Sequence, residues 1–306
     1  MDDITDLPFR SLCKEFGADL LITEFIASEA LNRDAEKSLR KMRFTDEQRP
    51  IGIQIFGANE TELLDCLDIV QQAQPDFIDI NWGCPVRKVA GKGAGSGILR
   101  DIPKMLKITE AIVKRASLPV TVKTRLGYDE HSKPIVEISE RLQDIGVAAL
   151  SIHGRTKTQM YSGSADWTLI GEVKNNPRMT IPIFGNGDIT TPAQAVEAYN
   201  RYGVDGILIG RGAIGNPWIF EQTLDAFKGH AIRTIGVAER VSVCRRHLLA
   251  AAQFKGERTA VFEMRKHYAA YFRGLPNFKH HRIKLVETTD LAGTLAVLDQ
   301  IEDSLG

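Results

Sequence analysis

Residues 77–85 read Phe-Ile-Asp-Ile-Asn-Trp-Gly-Cys-Pro, a short apolar run that ends in a polar side chain and continues into a Gly-Cys-Pro segment. Such a run is too short for a helix, and its isoleucine content is typical of a buried parallel strand. The pattern recurs along the chain. The seven runs span residues 20–23, 51–56, 77–81, 120–123, 150–153, 181–186 and 206–210.

The spacing of these runs predicts an α/β protein built on a (β/α)₈ TIM barrel. Their starts lie 25 to 43 residues apart, with a helix-length segment between most of them. In this fold the catalytic groups stand at the C-terminal ends of the strands. The residues at that place are Gln54, Asn81 with Cys84 just beyond it, Lys123, His153, Asn186 and the pair Gly210-Arg211.

Seven strands do not close an eight-stranded barrel. The first helix-like segment, residues 7–16, starts almost at the beginning of the chain and carries Pro8 in its first turn. We therefore expect Met1 to mark the C-terminal end of a first strand that is largely missing from this chain. The alternative is an open or rearranged barrel.

Length and composition predict a barrel followed by a smaller domain. The 306 residues exceed what a bare barrel needs, and an apolar content of 43% supports a packed core. No apolar run has membrane-spanning length and no secretory start is present, so we expect no membrane association. Four scattered cysteines without a C-x-x-C pair argue against disulfides and metal sites and indicate a cytoplasmic protein. Nothing in the sequence points to an obligatory protein partner.

The net charge of zero conceals a basic C-terminal region. Residues 232–285 contain 12 Lys/Arg against 3 Asp/Glu. Aromatic residues lie among the basic ones, which favours an RNA-binding surface over solvated helix faces. These aromatic residues are Phe262, Tyr268, Tyr271, Phe272 and Phe278.

Helical patterning follows a boundary near residues 227–236. It covers residues 237–254, 259–273 and 283–304, with Gly274 and Pro276 as a stop between the last two. We therefore expect a catalytic barrel over residues 1–232 and a helical RNA-binding domain over residues 233–306. Arg265, Lys266 and Arg282 are candidate RNA contacts in that domain.

Glycine-rich segments after the last two strands predict a phosphate site. Residues 184–189 read Phe-Gly-Asn-Gly-Asp-Ile, and residues 210–213 read Gly-Arg-Gly-Ala. Glycines let backbone N–H groups approach phosphate oxygens, and the N-terminus of a following helix favours negative charge. Arg211 adds a charge-assisted pair. Tight turns between strand and helix are the alternative explanation of these glycines.

Lys123, Gln54 and His153 point to a flavin as the source of that phosphate. A lysine at the end of an apolar strand needs an anionic partner to stay charged. A reduced flavin ring, negatively charged near its N1, is such a partner. The Gln54 amide suits a pyrimidine-like ring edge, and His153 could reach phosphate or substrate.

Cys84 is the candidate reactive group. It lies between a glycine and a proline in a loop, whereas Cys13, Cys66 and Cys244 lie in helical patterns typical of buried structural cysteines. The Cys84 thiol could act as nucleophile, base or acid. A thiol is protonated near neutral pH, so it can donate a proton to a carbanion. Residues 87–97, basic and glycine-rich, are either a nucleic-acid clamp or a flexible loop.

Several motifs together resemble the tRNA-dihydrouridine synthases, most closely the bacterial B-type branch. They are residues 2–10 (DDITDLPFR), 54–57 (QIFG), 81–85 (NWGCP), 122–127 (VKTRLG), 152–156 (IHGRT), 185–189 (GNGDI) and 209–212 (IGRG). Residues 265–276 (RKHYAAYFRGLP) resemble the helical domain of that family. Of the Pro-Met-Ala-like segment that contacts FMN in the family, only Met1 is present, followed by Asp2 in place of the small residue.

The resemblance implies NADPH-dependent reduction of a uracil C5–C6 bond in tRNA, with hydride from FMN N5 to C6 and a proton from Cys84 to C5. It also implies that Asn81 and Arg155 contact the target base, and that the uridine leaves its stack. The residues that hold FMN by this resemblance are Met1, Gln54, Lys123, His153, Asn186, Gly187, Asp188, Gly210 and Arg211.

Two other functions compete with this interpretation. One is an FMN barrel that oxidises or reduces a free pyrimidine, similar to dihydroorotate dehydrogenase. The basic C-terminal region argues against it. The other is a non-catalytic RNA-binding barrel protein, against which Cys84, Lys123 and the glycine-rich segments argue.

Overall fold

The strands form one parallel sheet. The structure, a computed structural model, describes Met1 and residues 3–306, so the predicted effect of Asp2 lies outside the described residues. The strands are β1 (Leu21–Ile22), β2 (Ile26–Ala27), β3 (Ile51–Phe56), β4 (Phe77–Asn81), β5 (Val120–Arg125), β6 (Ala149–His153), β7 (Ile183–Asn186) and β8 (Gly206–Leu208). Both β1 and β2 pair with β3, and each later strand pairs with the next in the chain. The predicted parallel α/β fold is confirmed.

The strand predicted over residues 20–23 is present as β1, and a second short strand, β2, follows beyond the predicted residues. Leu21 pairs with Ile51 at one end of β3, and Ile26 pairs with Ile55 at the other. Between them the backbone N–H of Gln54 donates to the Thr23 hydroxyl at 3.1 Å instead of to a carbonyl. This side-chain bond interrupts the ladder, so β1 and β2 share one position in the sheet. The other predicted strands are confirmed to within two residues at each end.

Among the described residues the sheet is open, with β1 and β8 at its two edges. Within the described residues no pairing joins β8 to β1. Met1 lies at the C-terminal rim beside the end of β8. Its Sδ is 3.7 Å from the point that a Cβ on Gly210 would occupy. The open sheet leaves a gap between β8 and β1, and a cavity extends into it.

Helices cover the outer face of the sheet and continue beyond it. They are α1 (Leu7–Glu15), α2 (Ser28–Leu31), α3 (Glu36–Met42), α4 (Glu60–Gln72), α5 (Arg87–Ala90), α6 (Ile102–Arg115), α7 (Ile135–Asp144), α8 (Thr168–Asn175), α9 (Pro192–Tyr202), α10 (Ile219–Phe227), α11 (Val237–Lys255), α12 (Glu257–Tyr271), α13 (Lys279–Glu287) and α14 (Leu291–Leu305). At the start of α1, Asp6 accepts a hydrogen bond from the N–H of Phe9 at 3.0 Å, and Pro8 lies in the first turn as predicted. Among the helices of Met1 and residues 3–306, none combines the length and apolar character of a membrane span.

Alternation along each strand separates a core from a cavity. In β4, Ile78 and Ile80 are fully buried in the hydrophobic cluster that joins the sheet to its covering helices. Burying each such side chain contributes about 1.5–3 kcal/mol. Asp79 and Asn81 alternate with them and line a cavity on the inner side of the sheet. The polar residues of the runs therefore face one cavity.

The C-terminal helices form a second core with α1. Val241, Leu248 and Leu298 pack in a cluster that also contains Leu12 and Phe16 of α1. The predicted helices over residues 237–254 and 259–273 are present as α11 and α12. The boundary between the two domains stays a prediction, because α1 contributes to the core of the C-terminal helices.

The single helix predicted over residues 283–304 is wrong. The chain leaves α13 in an extended conformation at Thr288, and Asp290 then caps α14 by accepting the N–H of Gly293 at 2.7 Å. Thr288, Thr289 and Asp290 all bond locally or extend more readily than they propagate a helix, which explains the break.

The aromatic residues of the basic region are mostly core. Tyr268, Tyr271 and Phe272 are at most 1% exposed, whereas Phe262 is 40% exposed. The buried aromatic side chains cannot contact RNA, and among the five only Phe262 is exposed enough to do so. His247 and His267 are also buried, and burial lowers the pKa of both, so these two histidines add no positive charge to the region near neutral pH.

Candidate active site

Strand register brings the predicted site residues together. Asn81 is the register partner of Lys123, and His153 is that of Asn186. Because all strands are parallel, their C-terminal ends meet at one rim. A cavity of about 1930 Å³ opens there. Its lining includes Met1, Gln54, Asn81, Cys84, Lys123, His153, Asn186, Gly187, Asp188, Gly210 and Arg211.

The Cys84 loop is held by hydrogen bonds on both sides. Asn81 Oδ1 accepts the backbone N–H groups of Gly83 and Cys84, each at 2.9 Å. Ser96 donates to the Cys84 carbonyl from its N–H at 3.0 Å and from its hydroxyl at 2.8 Å. Arg125 Nε donates to the Gly83 carbonyl at 2.7 Å. Cys84 is 6% exposed at the edge of the cavity, so its thiol has a defined position.

A chain of side chains connects this loop to the middle of the sheet. Asp79 Oδ1 accepts from Thr121 Oγ1 at 2.5 Å, and its Oδ2 accepts from Gln54 Nε2 at 2.6 Å. Gln54 Oε1 in turn accepts from Asn81 Nδ2 at 2.8 Å. Burial raises the pKa of Asp79, while these hydrogen bonds and the charge of Lys123 act in the opposite direction. The sequence analysis did not identify Asp79, although a carboxylate inside an apolar run was a signal.

Lys123 lies in the cavity close to Arg125, Asp79 and Cys84. Within the described part of the chain, its Nζ makes no hydrogen bond or ion pair. Burial, with the neighbouring charge of Arg125, lowers the pKa of Lys123 to about 8, although Asp79 and Cys84 act in the opposite direction. Lys123 is therefore mainly charged below that pH.

Other cations surround the rim. Burial, followed by the charges of Lys123, Arg125, Arg155 and Arg211, lowers the pKa of His153 to about 2. His153 is thus neutral over the physiological range. The concentration of positive charge favours an anionic ligand in the cavity.

Arg155 and Asp188 form an ion pair that ties two loops together. Arg155 is 2% exposed and donates to both carboxylate oxygens of Asp188, at 2.9 and 2.6 Å. It also donates to the carbonyls of Ser162 and Gly163. A contact between Arg155 and a target base requires one of these bonds to break, and that role stays a prediction. Asp188 Oδ1 also accepts a hydrogen bond from Arg211 at 3.2 Å. The Asp188 carboxylate therefore bonds two arginine side chains in this structure.

The two glycine-rich loops lead into different elements. α9 begins soon after residues 184–189, as predicted, but residues 211–213 form a short 3-10 turn and α10 begins only at Ile219. The second loop is therefore followed first by this short turn, and its α-helix comes later in the chain. Gly187 has φ +133°, and a Cβ there would lie 2.5 Å from Cβ of Ala165, so a side chain cannot be accommodated. Asn186 Nδ2 joins the loops by donating to the Leu208 carbonyl at 2.7 Å.

Residues missed from the sequence include Arg125 and Tyr161. Arg125 is 2% exposed at the end of β5, and besides Gly83 it donates to the carbonyls of Thr156 and Met160. Tyr161 is 51% exposed, and the Arg211 guanidinium lies 4.7 Å from its ring centroid. Neither residue has a spacing signal, because their neighbours come from loops elsewhere in the chain.

The three basic residues predicted to contact RNA lie away from this cavity. Arg265 donates to the Thr288 carbonyl at 3.1 Å and lies over the Phe262 ring. Lys266 donates to the carbonyl of Asp3. Arg282 is exposed on α13 with no ion pair among the described residues. Their RNA contacts stay predictions.

Comparisons with known proteins agree with the motifs. The chain matches the family described as "Dihydrouridine synthase (Dus)" over residues 1–305. A Rickettsia conorii protein named "Probable tRNA-dihydrouridine synthase" is 37% identical over 92% of this chain and 85% of its own. A Pseudomonas aeruginosa protein named "tRNA-dihydrouridine synthase B" is 33% identical over 98% of this chain and 90% of its own.

Solved structures share the fold at low identity. Histamine dehydrogenase from Rhizobium sp. 4-9 aligns with a TM-score of 0.56 and 13% identity over 79% of this chain and 46% of its own. The 6-hydroxypseudooxynicotine amine oxidase from Pseudomonas geniculata N1 aligns with a TM-score of 0.56 and 11% identity over 78% and 47%. The chain spans less than half the length of either. The family match and the sequence identities show that this chain belongs to the dihydrouridine synthase family.

Proposed function

We propose that this protein reduces uridines in tRNA to 5,6-dihydrouridine, with FMN as cofactor and NADPH as hydride donor. Family membership and the names of the relatives support the reaction. The observation that carries the proposal is one cavity with Cys84 on its edge and Lys123, Arg125 and Arg211 around it. A proton donor and an anion site therefore share one cavity.

The residues of the cavity fit FMN. Gly210 borders open space, since a Cβ there would meet no atom of the described residues within 3.5 Å and Met1 Sδ only at 3.7 Å. Arg211 and the backbone of Gly187 and Gly210 would hold the phosphate. Lys123, whose ammonium bonds no group in the described part of the chain, would meet the electron-rich part of the ring, with Gln54 and Met1 beside it. His153, Asn186 and Asp188 complete the predicted set.

The chemistry divides between the cofactor and this chain. Bound FMN, once reduced by NADPH, supplies a hydride for C6 of the uracil ring. Negative charge then develops at C5 and on the C4 oxygen, and Cys84 donates a proton to C5. Asn81 holds the backbone on both sides of Gly83, which keeps the thiol at a fixed place on the rim. The hydride and the proton together saturate the C5–C6 bond.

Exposed cations offer phosphate contacts at the mouth of the cavity and on the helices. Arg87, Lys88 and Lys92 are exposed within eight residues of Cys84, and no acidic residue interrupts residues 80–100. On the C-terminal helices Lys279 and Arg282 are exposed. A uridine must leave its stack to reach the cavity, so contacts with the surrounding RNA backbone are required.

The reduced state of the cysteines indicates the cellular compartment of this reaction. Cys13, Cys66 and Cys244 are buried as thiols, which fits a reducing cytoplasm. We therefore place the protein in the cytoplasm together with its tRNA substrate.

The test compares RNA and free pyrimidine as substrates. The purified protein, supplied with FMN and NADPH, is incubated with unmodified tRNA transcript, uridine or orotate, and dihydropyrimidine is measured by mass spectrometry. We expect bound flavin, visible as yellow colour, and turnover of tRNA alone. Turnover of free pyrimidine at the tRNA rate would favour the small-molecule enzyme. Tight tRNA binding by a colourless protein without turnover would favour the non-catalytic alternative.

A further inference from the structure

Asp79 ends a hydrogen-bond chain that reaches the Cys84 loop. The chain runs from Asp79 through the amides of Gln54 and Asn81 to the backbone N–H groups of Gly83 and Cys84, with donor–acceptor distances of 2.6 to 2.9 Å. Asp79, Gln54 and Asn81 are each at most 6% exposed. Water therefore offers these groups few alternative partners.

The two ends of the chain determine the orientation of the amides between them. Backbone N–H groups can only donate, so they require Asn81 to present its oxygen. The nitrogen of Asn81 then points to the oxygen of Gln54, and the nitrogen of Gln54 points to Asp79. Asp79 accepts through both oxygens, as an ionised carboxylate does. Donors at one end and an acceptor at the other therefore fix one arrangement.

We propose that Asp79 is a positioning residue, which fixes the Cys84 loop through the amides of Gln54 and Asn81. The inference rests on the proposed role of Cys84 as proton donor. If the acceptor at Asp79 is lost, the Gln54 amide can turn, and Asn81 loses the partner that orients it. The loop that carries the thiol then opens more often, although no residue of the loop has changed.

The experiment measures the rate at which N-ethylmaleimide labels Cys84 in the folded protein, with peptides identified by mass spectrometry. Asp79→Leu and Gln54→Leu each interrupt the chain, and we expect Cys84 labelling about tenfold faster or more, as for a loop that loses a buried hydrogen bond. Asp79→Asn can still present an oxygen to Gln54 and a nitrogen to Thr121, so its labelling rate stays close to wild type. The double variant Gln54→Leu/Asp79→Leu is expected to match the single variants, because they break the same chain.

Two controls separate positioning from general destabilisation. Ser139→Ala removes a different buried hydrogen bond, from Ser139 to the Ile135 carbonyl of α7, and should leave Cys84 labelling unchanged. Cys66 is fully buried in the core, so its labelling reports global opening and should not rise with that of Cys84. If Asp79→Leu does not fold, Gln54→Leu and Asp79→Asn still decide the question.

The proposal is overturned if Gln54→Leu, or a folded Asp79→Leu, labels at the wild-type rate, or if Asp79→Asn labels as fast as the interrupted variants. Labelling does not require uridine reduction, so the two proposals fail separately. If the variants show the expected labelling pattern but the wild-type protein reduces no uridine, the positioning role stands and the proposed function is wrong. Uridine reduction without the labelling pattern does the reverse.

Discussion

At the scale of single residues, the environment of Lys123 decides the electrostatics of the cavity. Its ammonium lies near Arg125, which disfavours its charge, and near Asp79 and Cys84, which favour it. Burial outweighs these favourable neighbours and brings its pKa to about 8. A lysine poised in this way gains most from a bound anion.

The pH dependence of FMN affinity tests this environment. Lys123 is charged below its pKa, so affinity should be constant below about pH 8 and fall above it, by up to about tenfold per pH unit for one proton. Lys123→Met should bind FMN more weakly at neutral pH, and its affinity should not fall as the pH rises through about 8. Fluorescence titration of FMN across that pH range measures both effects.

Lys157→Met serves as the matched control, because Lys157 bonds the Tyr128 hydroxyl at 3.3 Å outside the cavity lining. It should keep the wild-type profile. If the affinity of Lys123→Met for FMN still falls above about pH 8, another group causes the pH dependence.

Sequence reasoning at this scale found polar residues near the C-terminal ends of strands but missed Arg125, which itself ends β5. Gln54, Asn81 and Lys123 were predicted because strand ends meet at one rim. Asp79 and Arg125 were missed because their partners lie on other strands and in distant loops. Strand register places Asp79 beside Gln54, whereas Arg125 bonds carbonyls of loops that no register describes.

At the scale of elements, local side-chain bonds shift boundaries that hydrophobic periodicity predicts. Thr23 interrupts the ladder between β1 and β2, and Asp290 starts α14. Periodicity predicts a strand over residues 20–23 without the later β2, and one helix over residues 283–304 where the structure has two. At both places the boundary of the element is set by a side-chain oxygen that accepts a backbone N–H, and not by the apolar pattern.

The cap at Asp290 can be tested by stability. Asp290→Ala removes the acceptor for the N–H of Gly293, and we expect it to lower the free energy of unfolding by about 1 kcal/mol. Asp303→Ala, on the exposed face of the same helix, should change it little. Chemical denaturation of the full chain provides the measurement. A more stable Asp290→Ala protein would indicate one continuous helix, in which alanine is favoured over aspartate.

At the scale of the whole molecule, ion pairs reduce the charge asymmetry that the composition shows. Arg245 pairs with Asp299 at 2.6 Å, and Arg246 pairs with Glu15 of α1. The count of 12 Lys/Arg in residues 232–285 therefore overstates the free positive charge. Composition alone cannot reveal this, because the acidic partners lie far away in the sequence.

Exposed cations should dominate RNA binding. The double variant Lys279→Ala/Arg282→Ala should weaken tRNA binding. If both side chains contact phosphates, the slope of the logarithm of the binding constant against the logarithm of the salt concentration should become shallower by about two. Arg245→Ala with Arg246→Ala, matched in charge but paired with Asp299 and Glu15, should have a smaller effect. Filter binding at several salt concentrations measures both quantities, and thermal unfolding checks stability. Equal effects of the paired and unpaired variants would show that only net charge matters.

The central claim is that Cys84 protonates the reduced base. The most direct test is single-turnover formation of dihydrouridine in tRNA by Cys84→Ala that has been loaded with FMN and reduced by NADPH. We expect flavin content and reduction by NADPH to match wild type, while uridine reduction slows by roughly 10²–10⁴-fold, the usual contribution of a general acid. Cys66→Ala, a change in the core, should keep the wild-type rate. Dihydrouridine formation by Cys84→Ala at the wild-type rate would contradict the account.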